Sequence, residues 1–196
     1  MTVLEDRIAM AKSDDEITLD ELFEQIEKMP APEGYKVEIV EGTIYMSPQR
    51  DVHWKTIRRI VRALEDKFGM DVNVLSDVRI DFPGVLNGYA PDVAKLREHA
   101  EKNAQGLWRS EDIELVAEVI SKGTAANDYG PKKSAYAAAE VPVYLIVDPY
   151  QRRVHVYTHP KGDTYTTETR VDFGTDVDLT RTTVGLTLKT DEFPVD

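Results

Sequence analysis

The chain predicts an α/β (α+β) fold, a mixed β-sheet flanked by helices, and three features of the sequence carry that expectation. Residues 113–121 (Ile-Glu-Leu-Val-Ala-Glu-Val-Ile-Ser) and 141–148 (Val-Pro-Val-Tyr-Leu-Ile-Val-Asp) are short apolar runs of strand length. Residues 51–68 repeat apolar side chains at helical spacing over a full amphipathic stretch. Further strand-length segments are punctuated by turn pairs such as Glu41-Gly42 and Asn87-Gly88.

Residues 1–16 are polar and acidic without a period and read as a loosely held lead-in, leaving 17–196 as one domain. Thr18-x-x-Glu21 is a capping-box pattern, and Leu19, Leu22, Phe23 and Ile26 follow at helical spacing, which predicts a helix to about Met29. Residues 35–46 read as a hairpin turning at Glu41-Gly42. Within 51–68, at about 100° per residue, Ile57, Ile60, Val61, Leu64 and Phe68 share one side with His53, and Lys55, Arg58, Arg59 and Arg62 share the other. That basic stripe is either a solvated face or a track for a phosphate backbone. Residues 72–82 alternate as one strand or a bent pair, and Asn87-Gly88 marks a loop. Residues 97–110 suit a surface connection, and 122–127 a flexible loop leading to Asp128 as an N-cap, with a helix from Tyr129 or Gly130. Strands follow at 141–148, 154–158, 163–171 and 184–188, with His155 and His159 expected at the surface.

Composition narrows the class. With 41% apolar and 31% charged residues, the chain is expected to be a soluble globular protein. It has no cysteine, which excludes disulfides and thiolate metal sites and leaves His, Asp and Glu chemistry. No signal-peptide pattern opens it and no apolar run approaches the roughly 20 residues of a membrane helix, so a cytoplasmic location is expected. The net charge of −12 argues against non-specific coating of nucleic acid. Yet the acid is concentrated at the ends: residues 1–41 carry −8, residues 163–196 carry −5, and the middle carries +1.

The chemistry concentrates in residues 90–136. Pro91-Asp92 opens a short apolar run, and Glu118 stands amid the apolar neighbours of the next strand. A carboxylate buried alone costs several kcal/mol, so each needs a partner. Asp92 and Glu118 could share one hard divalent cation, with a nearby lysine steadying developing charge. The competing reading pairs Glu118 with a lysine as a structural ion pair and has Asp92 cap a turn. Asp128, Lys132 and Tyr136 follow at steps of four and stack on one face if that segment is helical. An early-turn lysine opposes the helix dipole and calls for a compensating anion.

Taken in order, several motifs resemble the Uma-type restriction endonucleases of the PD-(D/E)XK nuclease superfamily. They are Glu38-Ile-Val-Glu-Gly-Thr-Ile-Tyr-Met-Ser-Pro48 with the following His53, then Pro91-Asp92, Glu118-Val-Ile-Ser121, Asp128-x-x-x-Lys132-x-x-x-Tyr136 and Val141-Pro-Val-Tyr-Leu-Ile-Val-Asp-Pro149. The resemblance spans about residues 18–157. It implies a restriction-endonuclease-like core with an additional N-terminal helix and hairpin and C-terminal strands. It also implies Mg²⁺, with Mn²⁺ as a substitute, and hydrolysis of nucleic acid, DNA in the first instance. It assigns Asp92, Glu118 and Lys132 to catalysis, the two acids and the Val119 carbonyl to the metal, and Glu38, His53, Ser121 and Tyr136 to accessory places. Lys55, Arg58, Arg59 and Arg62 would contact nucleic acid. Two departures stand out. Ile120 occupies the superfamily's usual lysine position, which moves the site lysine to Lys132, with Lys133 and Lys122 as competitors, and Leu145 stands where the family often has tryptophan. The alternatives are a catalytically silent binding module, a homodimer among its forms, and a hydrolase of another phosphorylated substrate.

Overall fold

The computed structural model describes residues 17–28, 34–48 and 50–195; the lead-in at 1–16 and the expected helix end at 29–33 lie outside the described residues. The capping box forms. The Thr18 hydroxyl accepts from the Glu21 N–H and the Glu21 carboxylate accepts from the Thr18 N–H, starting α1 (Leu19–Glu27). Leu22 and Ile26 of α1 pack on Ile39 of β1 (Tyr35–Val40). β1 turns into β2 (Thr43–Pro48) through Glu41 and Gly42, both left-handed at φ 50° and 75°, the geometry a two-residue hairpin loop requires.

Helix α2 (Asp51–Phe68) buries Ile57, Ile60 and Leu64, each contributing about 1.5–3 kcal/mol by leaving water. Gly69 closes it at φ 93°. Phe68, which the period places on the inner side, is 41% exposed at the helix end, where the Lys95 ammonium lies 4.5 Å from its ring centre. The 72–82 segment divides into β3 (Val74–Leu75) and β4 (Ile80–Phe82), and these belong to different sheets; Asp77 at φ 56° breaks the run between them. The expected loop at Asn87-Gly88 is instead β5 (Asn87–Tyr89). Asn87 ties adjoining turns through Glu41 N–H and the Pro83 carbonyl, and at Gly88 a Cβ would lie 2.5 Å from the Phe23 ring. Turn-forming residue types are thus used here to let a helix sit close on a strand.

Next come β6 (Val93–Leu96), the short β7 (Trp108–Arg109), a 3-10 turn (Ser110–Asp112) and β8 (Ile113–Val119). The connection to the next strand holds α3 (Ala125–Tyr129) and α4 (Pro131–Ala138), where a flexible loop and an Asp128 N-cap are expected from sequence. Asp128 lies inside α3 and is buried. Gly130 sits at the break, where a Cβ would meet the Ala126 carbonyl at 2.8 Å, so a residue without a side chain fits the junction of the two helices. β9 (Val143–Asp148), β10 (Arg153–Lys161), β11 (Thr164–Asp172), β12 (Val177–Asp178) and β13 (Thr187–Leu188) complete the chain.

Two sheets organise the molecule. One runs β11-β10-β9-β8-β6-β3, with β8 and β9 parallel across the α3–α4 crossover; the other runs β2-β1-β5-β4-β7. Leu115, Ala117 and Val119 of β8 join α2 and the C-terminal Val184, Leu186, Leu188 and Phe193 in one core. Leu145 belongs to this core and is fully buried. Val116 and Ile120 join Phe82, Tyr89, Tyr136 and Tyr144 in the other. Ile120 is a core residue at 2% exposure. His155 corrects its surface assignment: it is 7% exposed, edge-on to Tyr129 and bonded to Glu168 at 3.0 Å.

Candidate active site

Strand parity places the two acids together. β6 and β8 are antiparallel with Val93 opposite Ala117, so continuing the register by one pair sets Asp92 opposite Glu118. Alternation turns Glu118 to the same face as Val116 and Ile120, under α4. The two acids interlock through the backbone. The Val119 N–H donates to Asp92 Oδ2 at 2.7 Å, and the Asp92 N–H points at Glu118 Oε2 at 3.4 Å. Both side chains are nearly inaccessible to solvent, at 4% and 1% residue exposure.

Lys132, in the first turn of α4, meets three acids: Glu118 Oε1 at 2.7 Å, Glu38 Oε1 at 3.1 Å and Asp128 Oδ1 at 3.1 Å. The anion that an early-turn lysine calls for is supplied threefold. Lys133 and Lys122 point elsewhere, over the rings of Tyr157 and Tyr150. Tyr136, one turn beyond Lys132, donates to Glu118 Oε1 at 2.5 Å from within the core, behind the cleft. Glu38 faces the cleft from β1 and accepts from the Ala90 N–H at 2.9 Å, where the chain leaves β5 for β6.

Lys36 is the residue that sequence reasoning missed. Its ammonium lies 2.6 Å from Asp92 Oδ1, 3.6 Å from Glu118 Oε2, and 4.0 Å from both Glu38 Oε2 and Asp77 Oδ1. The available signal was its spacing: Lys36 and Glu38 are two apart on a strand whose intervening Val37 faces α1, so both point to the other side.

Burial disfavours charge on every one of these groups, and partners decide the balance. Burial would lower Lys36 and Lys132, but the surrounding carboxylates outweigh it and hold both ammoniums charged, above their ordinary range. Against burial, Lys36 pulls Asp92 down, and Lys132 with Lys36 pulls Glu38 down. Glu118 is pushed up by its burial, with Asp92 and Glu38 adding to it. Burial, reinforced by Glu118 and Glu38, pushes Asp128 up to about 7.

These groups line a cleft open to solvent, together with Val119, Ser121, Arg50, His53 and Trp54. His53 is buried, its imidazolium disfavoured by that burial, and its Nε2 has no hydrogen-bond partner among the described residues. Trp54 is 59% exposed at the mouth. Lys55, Arg58, Arg59 and Arg62 are exposed and do not line the cleft; Lys55 pairs with Asp51 at 2.8 Å and Arg59 with Glu192.

Among the described residues, no group of three or more His, Cys, Asp or Glu side chains is arranged as a metal cage. The donor set nevertheless fits a hard cation shared by two carboxylates. Asp92 Oδ1 and Glu118 Oε2 converge on one positive atom, Lys36 Nζ, and a buried imidazole nitrogen without a partner lies in the same cleft.

A family model described as "Uma2: putative restriction endonuclease" matches residues 22–191. The chain belongs to the Uma2 family. No curated protein matches it. Among solved structures, a putative nuclease from Anabaena variabilis has the same fold, with a TM-score of 0.68 at 16% identity, covering 90% of this chain and 97% of the other. The Uma2 match takes in every cleft residue named above. No helix among the described residues is long and apolar enough to cross a membrane.

Proposed function

We propose that this protein is a Mg²⁺-dependent endonuclease, with Mn²⁺ as a substitute, that hydrolyses phosphodiester bonds of DNA in the cytoplasm. One observation carries the reading: Asp92 and Glu118 lie side by side on one sheet face in a solvent-open cleft, with Lys132 bonded to Glu118. Asp92 Oδ1, Glu118 Oε2 and the Val119 carbonyl are the atoms that would hold the cation. A divalent ion there supplies a water acidified for attack and screens the phosphate charge.

The chain's own residues do the positioning. Tyr136 and Lys132 both hold Glu118 Oε1, leaving Oε2 directed into the cleft. Lys132 also carries a fixed positive charge near the charge that develops on the phosphoryl oxygens. The neutral His53 Nε2 is an acceptor suited to a water hydrogen in the cleft. Glu38 fixes Lys132 from the opposite sheet, and Ser121 bounds the cleft floor. Arg50 and the exposed Trp54 flank the entrance, offering a phosphate contact and a stacking surface. The basic stripe on α2 would serve only nucleic acid that extends beyond the cleft onto the outer face of the helix.

The test is cleavage of plasmid and linear DNA, and of RNA, by the purified protein with Mg²⁺, Mn²⁺ or EDTA. Asp92→Asn and Glu118→Gln should each lower the rate by roughly 10³-fold or more, since electrostatic stabilisation is usually the largest contribution to such reactions. Undiminished cleavage by both variants would remove the assigned site. A second reading, a nuclease-fold module that binds without cleaving, is favoured by the ion pairing of both cleft lysines. DNA binding that survives with no turnover under any metal would select it.

A further inference from the structure

Lys36 stands where the two carboxylates converge, and its reach is unusual for a strand lysine. One ammonium lies within 4.0 Å of Asp92, Glu118, Glu38 and Asp77, with its side chain only 11% exposed. A divalent ion bound by the same two acids would have oxygens at about 2.1 Å. An ammonium 2.6 Å from Asp92 Oδ1 would then sit within a few ångströms of a dication in a buried setting, where like charges repel strongly. The two cations exclude each other.

We propose that Lys36 is a tethered counter-ion that neutralises Asp92 and Glu118 until a divalent cation displaces it. This rests on the metal-dependent reading above. The fold provides somewhere for the released ammonium to go. Asp77 lies on the more open side of the cleft, with 29% of its side chain exposed, 4.0 Å from the present position of Nζ. Four flexible methylenes let the ammonium move outward while β1 stays in place. Lys132 cannot substitute in this role, since it is held on the inner side by Glu118, Glu38 and Asp128 and its side chain is 2% exposed. The cleft therefore has one fixed ammonium and one exchangeable one. Metal uptake and the exposure of a positive charge toward the entrance become a single event. His53 Nε2, buried without a partner, marks the adjacent space as built for a further ligand such as a metal-bound water.

Two measurements on the full chain test this. The first is direct titration of Mn²⁺, with free ion counted by electron paramagnetic resonance, into the wild type, Lys36→Met and Asp92→Asn. Removing the competing charge should tighten Mn²⁺ binding by about tenfold or more in Lys36→Met. Thermal unfolding should show Lys36→Met less stable than wild type without metal and recovering when Mn²⁺ is added. Equal or weaker binding in Lys36→Met, with Mn²⁺ still bound by the wild type and lost in Asp92→Asn, overturns the displacement and leaves the nuclease reading intact. No Mn²⁺ binding by either protein overturns both.

The second measurement keeps the sequence native, in case Lys36→Met does not fold. Lysine side-chain ¹H–¹⁵N spectra should show slowly exchanging ammonium signals for Lys36 and Lys132 in metal-free protein, assigned with Lys36→Arg. Added Mg²⁺ should abolish or shift the Lys36 signal while that of Lys132 persists. A Lys36 signal unchanged at saturating Mg²⁺ overturns the proposal.

Discussion

Two clusters of charge in this protein both pair acids with basic side chains and reach opposite outcomes. On the outer hairpin of β10 and β11, Glu168 accepts from Arg170 at 2.7 Å and from His155 at 3.0 Å, and Arg153 pairs with Asp172 at 2.8 Å. Apart from the buried His155 these groups are about a third or more exposed, and such pairs add little to stability. In the cleft, Glu38, Asp77, Asp92, Glu118 and Asp128 surround Lys36 and Lys132, with most of these side chains nearly inaccessible. A fold gains little by burying so many charges, because their desolvation rivals their attraction. The outer cluster is what solvated strands carry anyway. The inner one is a cost that packing alone does not explain, and function is the reason we give for it.

The contrast can be broken from either side. The largest effect should come from Lys132→Met, which strands Glu118, Glu38 and Asp128 without their common partner. Urea unfolding should show a loss of roughly 3–5 kcal/mol, the usual consequence of removing one member of a buried ion cluster. A loss as small as that of an outer-hairpin substitution would erase the distinction between the clusters.

Tyr136→Phe comes next. It removes one hydroxyl donor from a buried carboxylate and should cost about 1–3 kcal/mol, while slowing cleavage because Glu118 loses an orienting bond. Stability lost with the cleavage rate untouched would confine Tyr136 to structure.

Asp128→Asn sharpens the electrostatic part. With its carboxyl raised from 3.8 to about 7, native Asp128 holds a proton that the unfolded chain has released between those values. The native state binds more protons there, so this group lowers stability as pH rises from about 4 to about 7. In the wild-type minus variant difference, stability should fall across that window and stay level above it. A flat difference curve would remove Asp128 from the coupled cluster.

The smallest effect belongs to Glu168→Gln. Arg170 and His155 hold the Glu168 carboxyl down at about 2, against its ordinary 4.5. Its contribution is complete above pH 4.5 and lost as pH falls toward 2, so the variant should differ slightly from wild type at neutral pH and match it in strong acid. A large change at neutral pH would mean that the outer cluster is structural after all.

Where the sequence was read correctly, the signal was local. The capping box at Thr18 and Glu21, the turn at Glu41-Gly42 and the limits of α2 each depend on residues within a few positions of one another. Where it was misread, local signals were overridden by packing. Asn87 and Gly88 have turn chemistry but form a strand, because Phe23 lies against Gly88 and Asn87 bonds to two neighbouring turns. Asp128 has N-cap chemistry but is buried against Lys132, because Gly130 lets α3 and α4 abut. His155 alternates outward on its strand but is covered by Tyr129.

The site divides along the same line. The order of Asp92, Glu118, Asp128, Lys132 and Tyr136, the strand parity of the acids and the helical step from Lys132 to Tyr136 were determined by the sequence itself, while the break at Gly130 puts Asp128 on a separate helix. Periodicity of two and of 3.6 is a property of the backbone, which carries those side chains to a shared face without reference to distant partners. Lys36 was decided only in three dimensions. It is 56 residues from Asp92, and on its own strand the two-residue step to Glu38 fixes only the side it faces, not the acids it meets. Its ammonium meets the acids because the sheet containing β1 lies against the one containing β6 and β8. That approach is set by the packing of two cores, and no short-range pattern in the chain encodes it.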